Sequence, residues 1–299
     1  MKQDYFRSGF VTTILALWYG NIDACKKWHQ KSHQIFDELD LPRYGWFDQT
    51  DNQPELATIM TNAMPAFATL GLYEEMSSLM RAVGYSWDKD GLGRIDYWEK
   101  WSASNSLWVN NKYRVISYRL LVFLSAPPGT IDDAEVEAFM PSPQELADIE
   151  RGFFCGRIRG QEDLPSFGAR AFLKLGRDDD AYELSKIAVS PEQKTLKKTT
   201  LVICHCILGQ VAAKRGDLEE AEGHFANALE EAKLSRLPML ELVTAREWKR
   251  RLLEPNGRDC NAAEATIDGA CGKMKKTRKQ LASVLGSGLI PGWAETSAI

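Results

Sequence analysis

The chain has 299 residues, 44% of them hydrophobic and 26% charged, which is enough apolar material to bury a sizeable core. Its 37 basic and 41 acidic side chains leave a formal charge of −4, which argues against general nucleic-acid binding, since that needs a basic surplus. No segment approaches the ~18 apolar residues of a membrane span, and no Gly/Ser tract marks a linker, so one continuous folded body over residues 1–299 is expected.

Near the N-terminus, Lys2 and Arg7 precede an apolar run from Phe10 to Tyr19. The run has the look of a signal-peptide core, but no small-x-small cleavage site follows and Asp23 sits where a small residue is wanted. It fits equally the first helix of a helical hairpin, turning at Gly20. His29 and His33, spaced i and i+4, share a helix face but have no third donor at ligand spacing, so no metal site is expected there. Between Tyr85 and Tyr118 the chain crowds together Trp87, Trp98, Trp101, Trp108 and four tyrosines, interleaved with Arg94, Lys100, Lys112 and Arg114. That composition suits an aromatic-and-cation pocket around Trp98, Trp101 and Trp108, or simply filler where helices splay. Leu120 to Glu150 follows with seven acids and no Lys or Arg, and reads as a solvated acidic hairpin.

Glycines then punctuate the chain. Gly20, Gly71, Gly129, Gly176, Gly216 and Gly257 are each followed five residues later by a small or apolar residue: Cys25, Met76, Ala134, Ala181, Ala221 and Ala262. A helix that ends on a left-handed residue prefers one without Cβ, so each glycine reads as the hinge of a helix pair. Asn21, Asp178 and Asp217 stand where a cap for the second helix belongs. Pro54, Pro143, Pro165, Pro191 and Pro238 mark helix starts, where a missing N–H costs little. In the clearest unit, Leu201 to Ala232, Val202, Cys206, Gly209 and Ala213 share one face, while Leu218, Ala221, Phe225, Ala228 and Leu229 line the opposing helix. Neither helix could hide its stripe alone. Beyond it, helices are expected over Leu240–Leu253, Ala262–Cys271 and Thr277–Leu285, the last carrying Lys273, Lys275, Lys276, Arg278 and Lys279 in and before it as a polar cap. Strand patterns are absent, and the fold class is all-α.

The residues Leu208, Gly209, Ala212, Ala221, Phe225 and Ala228 resemble a tetratricopeptide repeat. A fainter copy covers Pro165 to Val189. The units depart from that family in their period, which runs to about 40 residues or more where the family has about 34. His205 and Ala212 stand where an aromatic belongs, and Lys233 where a proline does. The resemblance implies a right-handed superhelical solenoid of antiparallel hairpins: N-terminal hairpins over 1–84, an irregular aromatic and acidic middle over 85–163, and the best-preserved repeats with a capping helix over 164–289. It also implies a concave surface lined by the first helix of each hairpin. Carried over by register, one groove position falls at Arg170, Gln210 and Arg251, and another at Lys174, Lys214 and Pro255; N-terminal equivalents are Ile14, Pro65, Phe123, Trp18, Thr69 and Pro127. An acidic peptide with a hydrophobic end would complement such a groove. A solvated helix face is the plainer account of the same Arg and Lys residues.

Chemistry is not written into the chain. The run Cys204-His205-Cys206 points to different sides of a helix and reads as buried free thiols. Gly91-x-Gly93 is too short for a phosphate loop, no nucleotide or cofactor fingerprint occurs, and there is no nucleophile elbow. Six cysteines (Cys25, Cys155, Cys204, Cys206, Cys260, Cys271) without a disulfide-framework spacing, and no Asn-x-Ser/Thr acceptor, fit a reducing, cytoplasmic setting, the alternative being targeting by the apolar N-terminus. The expected function is a non-catalytic scaffold that binds a protein or peptide, with no cofactor, metal, nucleic acid or membrane. Two alternatives are a small-molecule sensor or enzyme built on the aromatic middle region, and a structural subunit of a larger assembly.

Overall fold

A computed structural model describes residues 129–138, 140–154, 164–191 and 198–282, with isolated positions between 19 and 27 and between 116 and 126. The described residues are helical and contain no strand. Trp98, Trp101, Trp108, His29, His33, Gly71, Cys25 and Cys155 lie outside them, as do Ile14, Trp18, Pro54, Pro65, Thr69 and Pro127. The chain divides into two compact units, one made of residues 1–17, 21–132 and 285–289, the other of 18–20, 133–284 and 290–299.

In the first unit, Asn21 does what its position predicts: its Oδ1 accepts from the Ala24 N–H at 3.2 Å. Further along, Ile116, Leu120, Phe123 and Leu124 are helical and buried, their spacing placing them on one stripe. Gly129 turns the chain with φ +75°. The stretch from Leu120 to Glu150 is therefore only half solvated. Asp132, Asp133, Glu137, Glu145 and Asp148 are exposed, but Phe123, Leu124, Ile131, Val136, Leu146 and Ala147 are core residues; the acids mask an amphipathic pattern.

The second unit holds nine helical segments among its described residues. They are α1 (Asp133–Glu137), α2 (Pro143–Phe154), α3 (Leu164–Lys174), α4 (Asp178–Val189), α5 (Lys198–Arg215), α6 (Leu218–Leu234), α7 (Pro238–Trp248), α8 (Asn261–Met274) and α9 (Arg278–Ala282). Helix α7 runs on through a π-helical turn, Lys249–Leu253, and a short 3-10 turn, Glu254–Asn256. Ser142 and Glu145 close a capping box at α2: the Ser142 N–H donates to Glu145 Oε2 at 2.9 Å and the Glu145 N–H to Ser142 Oγ at 3.3 Å. Thr277 and Gln280 repeat it at α9. At α6, the Glu220 N–H donates to Asp217 Oδ1 at 3.1 Å.

Consecutive helices pack against one another from α2 to α8, and α3, α5 and α7 also touch in turn, so the first helices of successive pairs form a row. Gly176 and Gly216 close their hairpins in the same way, with φ of +73° and +84°. After each, the next N–H reaches back over the last turn of the helix, Arg177 to the Phe172 carbonyl at 2.8 Å and Asp217 to the Ala212 carbonyl at 3.0 Å. Of the six expected hinges, the five that fall on described residues all have positive φ. The connections between pairs use the left-handed conformation too, but at Arg236 (φ 55°) and Lys275 (φ 53°), which sequence reasoning does not flag.

Two of the proline and cap assignments need correction. Pro143, Pro165 and Pro238 sit at the first or second position of a helix, as expected, whereas Pro191 follows the end of α4, directly after Ser190. Asp178 makes no side-chain cap but lies in the first turn of α4 with Asp179 and Asp180, where its charge suits the positive helix end; Arg177 holds the cap position and its Nε donates to Asp180 at 2.7 Å. Asp178 instead pairs with Lys214 of α5.

Small residues set how closely the helices approach. A Cβ added to Gly209 would lie 2.9 Å from the Phe225 ring, and one added to Gly168 would lie 2.8 Å from Leu184 Cδ2. Gly168 and Gly209 are offset along the chain by the same step as Leu184 and Phe225, so two successive hairpins are built on the same contact. Gly20 makes a third close approach: its turn sits on the Met274 side chain, whose Cγ would be 2.1 Å from an added Cβ.

Two glycines in one hairpin should therefore respond oppositely to alanine. Gly209→Ala must displace a buried ring and is expected to destabilise by about 1–3 kcal/mol. Gly223, helical, exposed and with open space around it, should gain about 0.5–1 kcal/mol as alanine. Urea unfolding of both variants decides it; equal midpoints would remove the role assigned to the Gly209–Phe225 contact.

Candidate functional site

The row α3–α5–α7 carries the five residues placed on a groove by register, and their settings differ. Arg170 on α3 is only 2% exposed; its Nε donates to the Ser166 carbonyl at 3.2 Å and its guanidinium lies 5.2 Å from the centre of the Phe167 ring. Gln210 on α5 is 8% exposed and its amide points at Cys206 Sγ, 3.6 Å away. The third residue of that position, Arg251, and the residues one turn further on, Lys174, Lys214 and Pro255, all reach the surface to some degree. Lys174 is half-buried, and burial pulls its ammonium down to about 8 against the opposing influence of Asp133. The Lys214 side chain is 68% exposed and paired with Asp178. Arg251, in the π-helical turn, is 39% exposed and donates from Nε to Glu247 at 3.2 Å.

Glu247 has no exposure at all, and its second oxygen, Oε1, has no hydrogen-bond partner. Its charge acts on the thiol of Cys206. Burial first, and the Glu247 charge second, push that thiol far above the ordinary cysteine range. A thiol held protonated is no nucleophile. Cys204, Cys206 and Cys271 are buried and free, and Cys260 is free and partly exposed, matching the reading of Cys204-His205-Cys206 as core thiols. Helix α7 itself is buried from Pro238 to Glu247, with Glu241 ion-paired to Lys273 at 2.6 Å.

The basic residues of this face are thus tied into the body of the protein. Lys214 and Arg215 at the end of α5 reach back to Asp178 and Asp179 at the start of α4, the second pair at 2.5 Å. In the next unit Arg258 reaches Glu222 on α6 at 3.1 Å, and Trp248 Nε1 donates to the same carboxylate at 3.4 Å. All three ion pairs join residues 36 apart.

A second cluster, absent from the sequence-based expectations, lies across the α5–α6 hairpin. His205 and His224 face each other with Nδ1 atoms 3.2 Å apart and ring centres 5.4 Å apart. Burial lowers both; His205 falls to about 4, with His224 adding to the effect. Glu220 lies 3.6 Å from His224 Nε2 and accepts a hydrogen bond from the Tyr182 hydroxyl of α4, which raises the phenol's pKa. The guanidinium of Arg215 stacks 4.3 Å over the Tyr182 ring. The signal is in the sequence: two of the four histidines flank one hinge, at Gly216, and a hairpin brings its two flanks together.

No family model matches the chain, and neither a curated protein nor a solved structure matches it significantly. No described helix is long and apolar enough to cross a membrane.

Lys174 supplies a check on the burial of this face. Its folded pKa lies below the unfolded value, so the unfolded chain binds more protons between about pH 8 and 10.5. The cost of charging it is complete below pH 8 and vanishes as pH rises past 10.5. Lys174→Met should raise the thermal midpoint at pH 7, with an advantage that shrinks steadily from pH 8 to 10.5. A lowered midpoint at pH 7 would show that the ammonium is well solvated.

Proposed function

We propose that this protein is a non-catalytic scaffold, a tetratricopeptide-like α-solenoid whose row of first helices, α3, α5 and α7, holds a protein or peptide partner. The observation that carries this reading is the repetition of one hairpin. The Gly168–Leu184 contact recurs one unit later as Gly209–Phe225, and the Gly176 hinge as Gly216. Repeats that each contact their neighbours build extended surfaces suited to gripping another chain.

Within that face, Lys174, Lys214 and Arg251 have exposed surface, and Arg170 and Gln210 are buried. An acidic segment of the partner would compete with Asp178 for Lys214 and with Glu247 for Arg251. Exchanging one exposed ion pair for another gains little, so affinity would come mainly from apolar contact, with charge setting register and association rate. The free thiols support a reducing, cytoplasmic setting.

The test is affinity capture from the native source with the full chain, compared with a Lys174→Gln/Lys214→Gln double variant whose fold is checked by circular dichroism. The expected result is a partner captured about two- to fivefold more slowly by the double variant, with capture by the unaltered chain slowed by added salt. An unchanged rate of capture would remove this face from the binding surface.

A further inference from the structure

The imidazoles of His205 and His224 meet as a hydrogen-bonded pair whose nitrogens already stand at the separation of two ligands of one ion, independently of any partner on the α3–α5–α7 row. Their Nδ1 atoms stand 3.2 Å apart, on different helices. Two nitrogens each ~2.0–2.1 Å from a tetrahedral zinc ion are separated by about 3.3 Å. On the far side of His224, Glu220 lies 3.6 Å from Nε2 and is itself held by the Tyr182 hydroxyl. A carboxylate there favours a proton on Nε2 and leaves the Nδ1 lone pair facing His205, which is how an outer carboxylate orients a metal-bound histidine. Both rings are partly buried and pulled toward the neutral form a metal requires. Glu231, paired with Lys198 at 2.8 Å, acts electrostatically on His205 against the effect of burial.

We propose that His205 and His224 form a two-histidine site for a divalent transition-metal ion such as zinc, nickel or copper, with its remaining positions open to water or to an external donor. Among the described residues no three His, Cys, Asp or Glu side chains converge on one point, so the site has two protein donors, brought together from different helices, and water or an external donor would complete the coordination. Without metal, the proton between the rings sits on one Nδ1. On binding it passes to His205 Nε2, both Nδ1 lone pairs go to the metal, and each ring stays neutral. The ion then staples α5 to α6. Imidazole donors suit zinc, nickel and copper and disfavour magnesium and calcium.

The experiment uses the full chain, stripped with chelator and dialysed, titrated with ZnCl₂ and NiCl₂ by calorimetry and followed by thermal unfolding. One ion per chain is expected, raising the thermal midpoint, with magnesium inert. His205→Gln and His224→Gln should each weaken uptake at least tenfold, Glu220→Gln should weaken it about 10–100-fold, and His29→Gln/His33→Gln should leave it unchanged. A second measurement needs no variant: bound nickel should protect both His205 and His224 of the native chain from diethyl pyrocarbonate, mapped by mass spectrometry. Absence of uptake, uptake that survives either single substitution or disappears with His29→Gln/His33→Gln, or failure to protect both rings, would each overturn the site.

Discussion

The backbone of Gly209 lies against the ring of Phe225, and much of the second unit follows from that approach. A helix pair can come this close only where one side offers no Cβ, and Ala212, Ala221 and Ala228 continue the seam with the smallest remaining side chains. The phenylalanine fills what the small residues leave, at no exposure. Once α5 and α6 are locked at that distance, the outer faces of both helices are committed. α5 meets α3, α4 and α7, and α6 meets α7. The Gly168–Leu184 contact does the same for α3 and α4 with an aliphatic side chain in the aromatic's place. In the third pair the equivalent position holds Arg250, not glycine, and there the helix takes its π-helical turn.

Charge is used inside this body as much as on it. Glu247 is wholly buried with one partnered oxygen, Glu241 is buried against Lys273, and Arg246 is buried on the same helix. Such groups are retained at a cost in desolvation, and their attested use is to fix register. On α7, Glu241 reaches across to Lys273 of α8, whereas Glu247 pairs with Arg251 one turn along its own chain segment. The ion pairs between successive hairpins are exposed and individually weak. Lys214 and Arg215 reach from the last turn of α5 to the first turn of α4, whereas Arg258 reaches Glu222 from just beyond the Gly257 turn.

Backbone punctuation is readable from the sequence, while side-chain environment is not. Glycine hinges, the Asn21 and Asp217 caps and Pro143 and Pro238 are local signals: the residue type and the conformation it permits lie at the same place in the chain. Arg236 and Lys275 adopt the left-handed conformation without being residues that favour it, because the packing of α6 on α7 and the end of α8 dictate it. Repeat register places Arg170 and Gln210 along an open groove, but it gives direction along a helix and not depth; their burial depends on neighbours one helix away. Asp178 shows the same limit, since a cap and a cross-hairpin partner look alike in sequence. The histidine pair needs the hairpin folded before its spacing in the chain has any meaning.

Gly20 sits against Met274, so the first described turn of the chain meets almost the last described helix. Most helix contacts in the second unit join neighbouring helices across short loops. This one closes a far longer stretch of chain. Loop-closure entropy grows only with the logarithm of length, so the native state tolerates the contact easily, but rates fall with sequence separation far more than stability does. The end of α8 is thus finished by a turn from far back in the chain, so this unit carries one strongly non-local contact among its helix-to-helix ones.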